Sequence, residues 1–259
     1  MNSIKKIPKQ IFLFLKTLIT TVVFSLLTMG SFIRGLRRKQ VRILPQNISC
    51  INPKQNNYVI LIHGRGDDGG QFNSITNVIR NSTDLNYILI ALDQKDNLIK
   101  DDIVRVRNQI ITSLENILHA HSKLNVTVVG ISKGGVTAAS LIANHCDPRI
   151  TYRKLITIAS PLHGTTLANY GFGTNARVDL SYKNAYVLRV KSELSVLAAK
   201  TDLKTYHIVN KFDNTILPSS TSAYDFPSST AFVHKSLTSH IAIQDNPEVV
   251  AKVMDWICE

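Results

Sequence analysis

Gly130-Ile131-Ser132-Lys133-Gly134 sets one hydroxyl between two glycines at a two-residue spacing. A serine is a poor nucleophile until a base takes its proton, and the base needs an acid to fix its tautomer and orientation. In a sheet-and-helix fold built around such a serine the chain order is Ser, acid, His. Five histidines follow Ser132: His145, His163, His207, His234 and His240. His207 sits inside an apolar run and reads as a core residue. His145 stands near a helix end, and His163 belongs to Ser160-Pro161-Leu162-His163-Gly164-Thr165. His234 and His240 precede the final helix, where the base belongs. His240, in Thr238-Ser239-His240, is closer to that helix and is the candidate base. The candidate acid is Asp213, which follows the apolar run Tyr206-His207-Ile208-Val209 and precedes Ile216-Leu217-Pro218. Asp179, Asp202 and Asp225 read as solvated surface acids. A tetrahedral oxyanion needs two fixed N–H donors. The backbone of Lys133 is one candidate. Arg65, in the glycine-rich loop His63-Gly64-Arg65-Gly66-Asp67-Asp68-Gly69-Gly70, is the other.

These residues need a scaffold that brings distant loops to one edge. Asn125–Val129 is a β-branched run that predicts a buried strand directly before the serine, and the small-residue stretch 133–144 predicts a helix directly after it. That context makes the serine turn a nucleophile elbow rather than an ordinary strand-to-helix turn with a capping serine. Further strands are expected at 58–62, 87–92, 154–158 and 205–209. A short helix is expected between 69 and 81. Asp101-Asp102 are expected to cap a helix to about His121, with Ile103, Val106, Ile110, Leu114 and Ile117 on one stripe. Asn246-Pro247-Glu248 opens a closing helix. Near-continuous apolar strands alternating with helices predict an α/β fold, a mainly parallel sheet covered on both faces. The forty-odd residues 160–204 exceed a minimal crossover. They read as a small cap over the carboxyl edge, or as a longer crossover helix with a decorated loop.

Charge is unevenly placed. The formal net charge is +12, but nine of the 30 lysines and arginines, and no acid, fall in residues 1–42; that leaves 21 basic against 18 acidic residues elsewhere. A remainder this close to neutral argues against a nucleic-acid partner. Residues 1–33 hold an apolar run from Ile11 to Ile33, interrupted by Lys16 and flanked by Lys5-Lys6 and Arg37-Arg38-Lys39. Its length, about 20 apolar residues, suits a membrane-spanning helix. The basic cluster behind it favours an uncleaved single-pass anchor and a membrane location over a signal peptide cut near Thr28-Met29-Gly30 and export. Residues 34–57 read as a connector and 58–259 as the folded domain. Cys50, Cys146 and Cys258 are too few and too scattered for a disulfide framework or a zinc site. No motif calls for a metal or organic cofactor.

From Tyr58 to Ile257 the chain resembles the α/β-hydrolase superfamily, particularly its bacterial lipase and esterase branch. The resemblance rests on Leu61-Ile62-His63-Gly64, Gly130-Ile131-Ser132-Lys133-Gly134-Gly135, Ala159–Thr165, Phe212–Pro218 and Ser239-His240, five blocks in the family's order. It implies Ser132 as nucleophile, Asp213 as acid, His240 as base, and Arg65 and Lys133 as oxyanion donors. It also implies a lipid or small ester as substrate. Arg65 stands where an apolar residue is common in the family. With Lys133 it would border the site with two cations and suit an anionic substrate, unless both side chains point to solvent. The same triad could act on thioesters or transfer an acyl group to an alcohol. The reading from another class is a silent, membrane-anchored binding module, which would need no complete triad.

Overall fold

The structure is a computed structural model that describes residues 56–65, 70–81, 85–90, 98–120, 123–144, 147–170 and 175–259. The apolar run and the basic clusters of the amino-terminal segment lie outside these residues, as does His145. Among the described residues no helix is long and apolar enough to cross a membrane.

Among the described residues six strands form one sheet: β1 (Asn57–Ile62), β2 (Asn86–Ile90), β3 (Leu124–Ile131), β4 (Ile150–Ile158), β5 (Lys204–Asn210) and β6 (Ser229–His234). Their order is β2-β1-β3-β4-β5-β6. Every pairing is parallel. The helices are α1 (Asn73–Arg80), α2 (Ile99–Ala120), α3 (Lys133–Asn144), α4 (Leu167–Tyr170), α5 (Asn175–Leu180), α6 (Ala185–Lys200) and α7 (Pro247–Cys258).

Side chains alternate across a strand, so a strand buried on both sides feeds two cores. Tyr58, Ile60 and Ile62 of β1 and Val126 and Val128 of β3 pack with Val106, Ile110 and Leu114 of α2, Val136 and Leu141 of α3, and Val187, Val190 and Leu194 of α6. Val59 and Leu61 of β1, Val129 and Ile131 of β3, and Ile156 and Ile158 of β4 pack instead with Ile75 and Ile79 of α1 and with Val249, Val253 and Trp256 of α7. The sheet is therefore covered on both faces. In a parallel sheet every strand ends at the same edge, which gathers the loops after β1, β3, β5 and β6 there.

Within 160–204, α6 supplies three fully buried core residues to the β4-to-β5 crossover, in keeping with the reading of a longer crossover helix with a decorated loop. Other expectations change. The strand β6 has no counterpart in the sequence reading. It is an edge strand whose residues Ser229–Val233 are exposed or half-buried, and its apolar run is only Ala231-Phe232-Val233, too short to stand out. His234 ends this strand instead of lying in the loop that follows. Finally, Asp101 and Asp102 do not cap α2 but lie inside its first turn. The backbone N–H of Ile99 donates to Asp179 Oδ2 at 2.8 Å, so Asp179 is a capping residue and not a solvated acid.

Candidate active site

Ser132 lies between β3 and α3 with φ at 52°. A non-glycine residue in this left-handed region costs about 1–3 kcal/mol and persists only where its neighbours fix it. They do so here. The Ser132 N–H donates to Ile158 O of the adjacent strand at 2.9 Å, and Ser132 O accepts from Gly135 N at 3.0 Å. At Gly134 a Cβ would lie 2.2 Å from Ile62 O and 2.4 Å from His63 O. Only glycine lets α3 begin this close to the end of β1.

His240 reaches the serine from the loop after β6. Its Nε2 lies 2.9 Å from Ser132 Oγ. Its Nδ1 lies 2.8 Å from Asp213 Oδ2. The other carboxylate oxygen, Asp213 Oδ1, accepts the backbone N–H groups of Thr215 at 2.7 Å and Ile216 at 2.8 Å. Asp213 is buried while His240 keeps partial exposure. With the proton on Nδ1 shared toward Asp213, Nε2 is left to accept the serine proton. The structure thus brings Ser132, His240 and Asp213 into one hydrogen-bonded line drawn from three separate strand ends.

The loop after β1 approaches from the other side. The Gly64 N–H donates to Gln71 Oε1 at 2.8 Å. His63 Nδ1 lies 2.7 Å from Gly64 O. A Cβ on Gly64 would lie 3.1 Å from Ser132 Cβ, so the backbone leading to Arg65 packs directly on the serine. Arg65 itself has an exposed side chain. Lys133 follows neither expectation for its side chain. It neither faces solvent nor borders the mouth, because its ammonium is buried 2.7 Å from Asp102 Oδ2.

The remaining histidines have other partners. His234 is buried with Nδ1 2.9 Å from Glu248 Oε2 and Nε2 3.0 Å from Thr238 Oγ1. His207 is a core residue whose Nδ1 meets Thr157 Oγ1 at 2.8 Å, and burial pushes its pKa down to about 3. His163, with Nδ1 3.3 Å from Thr221 O, is also shifted down by burial. Asp202 and Asp225 are exposed and pair with Arg153 and Lys191.

Sequence reasoning missed the residues that hold the loops. Asn210, buried at the end of β5, donates from Nδ2 to Thr238 O at 2.8 Å and so ties the loop of Asp213 to the loop of His240. Asn214 Oδ1 accepts the His240 N–H at 3.2 Å. Thr165 Oγ1 donates to Thr215 O at 2.9 Å and accepts from Leu217 N at 3.0 Å, which clamps the far side of the Asp213 turn. An asparagine closing an apolar strand was the one legible signal among them.

Residues 58–215 match the model of the palmitoyl protein thioesterase family. The match includes Ser132 and Asp213 and stops ahead of His240. No curated protein matches the chain in sequence. Among solved structures, the fold is similar to the mature form of the Bacillus licheniformis lipase BlEst2, with a TM-score of 0.61 at 13% identity over 80% of this chain and 93% of that one. A carboxylesterase of Nitrososphaera gargenis gives 0.56 at 15% identity over 80% and 91%. A lipase-esterase related protein of Clostridium acetobutylicum gives 0.54 at 16% identity over 79% and 96%.

Proposed function

The chain belongs to the palmitoyl protein thioesterase family, an ester hydrolase of the lipase and esterase-like α/β-hydrolases, and from that premise we propose that it is a serine hydrolase of long-chain acyl esters. The observation that carries the proposal is the line from Ser132 Oγ through His240 to Asp213, at 2.9 and 2.8 Å. In this reading Ser132 attacks the acyl carbonyl as His240 Nε2 takes its proton. Asp213 stabilises the imidazolium that forms and holds the ring in register. The backbone N–H groups of Lys133 and Arg65 receive the oxyanion. Collapse releases the alcohol or thiol, protonated by His240, and leaves an acyl group on Ser132. Water activated by His240 then frees the acid.

A lipid-class acyl chain is supported by the family's description and by the exposed apolar side chains of Phe212 and Leu237, close in sequence to Asp213 and His240. The family's description also favours a second reading, a thioester in place of an oxygen ester. The amino-terminal apolar run would then serve as a tether to the membrane that carries the substrate.

The test uses the full chain with a fluorophosphonate probe, then a matched pair of palmitoyl oxygen ester and palmitoyl thioester. Labelling and turnover are expected in the wild-type protein; in Ser132→Ala labelling should be absent and turnover reduced by several orders of magnitude. Ser132→Ala should retain only the residual ~10³-fold effect of binding and the oxyanion hole. Undiminished turnover in folded Ser132→Ala removes the serine mechanism. Failure of the wild type to label or turn over leaves the binding-module reading. The ratio of the two substrates decides between ester and thioester.

A further inference from the structure

Lys133 is a long side chain at the elbow, and it points away from the site. Its ammonium pairs with Asp102 Oδ2 at 2.7 Å, with only 6% and 3% of the two side chains exposed. Burying two charges is costly, and an apolar pair of similar volume often serves stability as well or better. A pair like this is better explained by the geometry it fixes. We propose that Asp102 is a positioning residue for the oxyanion hole: through the buried ion pair it holds the backbone of Lys133 so that its N–H aims at the developing oxyanion. The inference rests on the reading of Ser132 as nucleophile and the Lys133 N–H as donor.

Three observations carry it. Lys133 directly follows Ser132, whose φ of 52° needs support from outside the turn. A donor of this kind must be aimed before the reaction, since its value lies in not having to reorganise. The anchor is itself fixed: Asp102 lies in the first turn of α2, whose leading N–H at Ile99 is held by Asp179 at 2.8 Å. The other end of the same residue is fixed as well, because Lys133 O accepts from Thr137 Oγ1 at 3.2 Å. The side chain of Lys133 thus connects the oxyanion donor to a second helix.

The experiment compares full-length wild type, Asp102→Asn and the charge-free double variant Asp102→Leu/Lys133→Met on p-nitrophenyl butyrate. Active protein is counted by exhaustive fluorophosphonate labelling, and each variant is melted. Both variants are expected to lose about 10- to 100-fold in kcat with KM within about twofold, since removing an oxyanion donor outright costs about 10²–10³. A purely structural pair would lower the melting temperature and leave kcat per labelled molecule unchanged. Wild-type kcat in folded Asp102→Asn overturns the proposal. If that variant does not fold, wild-type kcat in the double variant overturns it. Ser132→Ala is run beside them. Full turnover there removes the underlying serine reading, an outcome distinct from a failure at Asp102.

Discussion

Asp213 faces His240 with one carboxylate oxygen, 2.8 Å from Nδ1, while its other oxygen is held by the N–H groups of Thr215 and Ile216. The carboxylate cannot turn without giving up two backbone hydrogen bonds. Its orientation toward the imidazole is therefore set by the turn that carries it.

Asp213→Asn separates orientation from charge. The amide oxygen can still accept from Thr215 and Ile216, so the fold should be unaffected. The amide nitrogen would then face His240 Nδ1 and favour the wrong tautomer. The expected loss is about 10²–10⁴ in kcat with a melting temperature near that of the wild type. Steady-state kinetics and a thermal melt check both halves. Activity within about twofold of wild type would place the acid elsewhere.

The two histidines near the carboxyl terminus should divide cleanly. His234 is buried between Glu248 and Thr238, so His234→Ala removes two hydrogen bonds and opens a cavity. It should lower stability, mainly through the cavity left by the fully buried ring, and leave kcat per folded molecule nearly intact. His240→Ala should fold and lose almost as much activity per folded molecule as Ser132→Ala, because the residues act as a unit. The reverse pattern would exchange their roles.

The contrast between these histidines also shows what the sequence could carry. The strands β1, β3 and β5 are legible because burial on both faces demands continuous apolar runs. The serine turn is legible because close backbone approach demands glycine at fixed spacings. Asp213 and His240 could be chosen because they follow or precede recognisable elements. The edge strand β6 was hidden, since Ser229–Val233 are exposed or half-buried and need no pattern. The pairing of Lys133 with Asp102 was hidden for another reason. Thirty-one positions separate them, and a charged side chain next to a nucleophile looks the same in sequence whether it faces substrate or core. Asp179 was misread on similar grounds, as its partner is the backbone of Ile99 and not a side chain.

Two glycines give a graded test of the elbow. At Gly134 an added Cβ would meet the backbone oxygens of Ile62 and His63 at 2.2 and 2.4 Å. Neither can move without disturbing β1, so Gly134→Ala should yield little folded protein. At Gly64 the nearest atoms, Gln71 Oε1 and Ser132 Cβ, stand at 3.1 Å. Shifts of a few tenths of an ångström suffice there, but one of them falls on Ser132, the proposed nucleophile. Gly64→Ala should fold, melt close to the wild type and lose about 10-fold or more in kcat/KM, since misplacement of about 1 Å can cost 10²-fold. Expression yield, melts and kinetics together read the gradient. Equal effects at the two sites would contradict it.

Acid should weaken the fold through His207. Burial holds its pKa down to about 3 in the native state, so the ring stays neutral between β4 and β5. The unfolded chain binds a proton there near the ordinary value of about 6.5. Above that value neither state is protonated and the group has no effect on stability. Below it the unfolded state binds a proton that the folded state refuses. Stability therefore falls by about 1.4 kcal/mol for each pH unit as pH drops from about 6.5 toward about 3. His163, also shifted down by burial, acts in the same direction. His207→Asn keeps a side-chain group that can meet Thr157 Oγ1 and removes the titration. Urea unfolding between about pH 7.5 and pH 4.5 should show the wild type losing stability more steeply than His207→Asn, by about one proton's slope below pH 6.5. The variant should be the less stable protein at pH 7.5, where only its lost packing against Tyr224 counts, and should close that gap as the pH falls. Parallel slopes across the range would mean that His207 takes up its proton inside the folded protein.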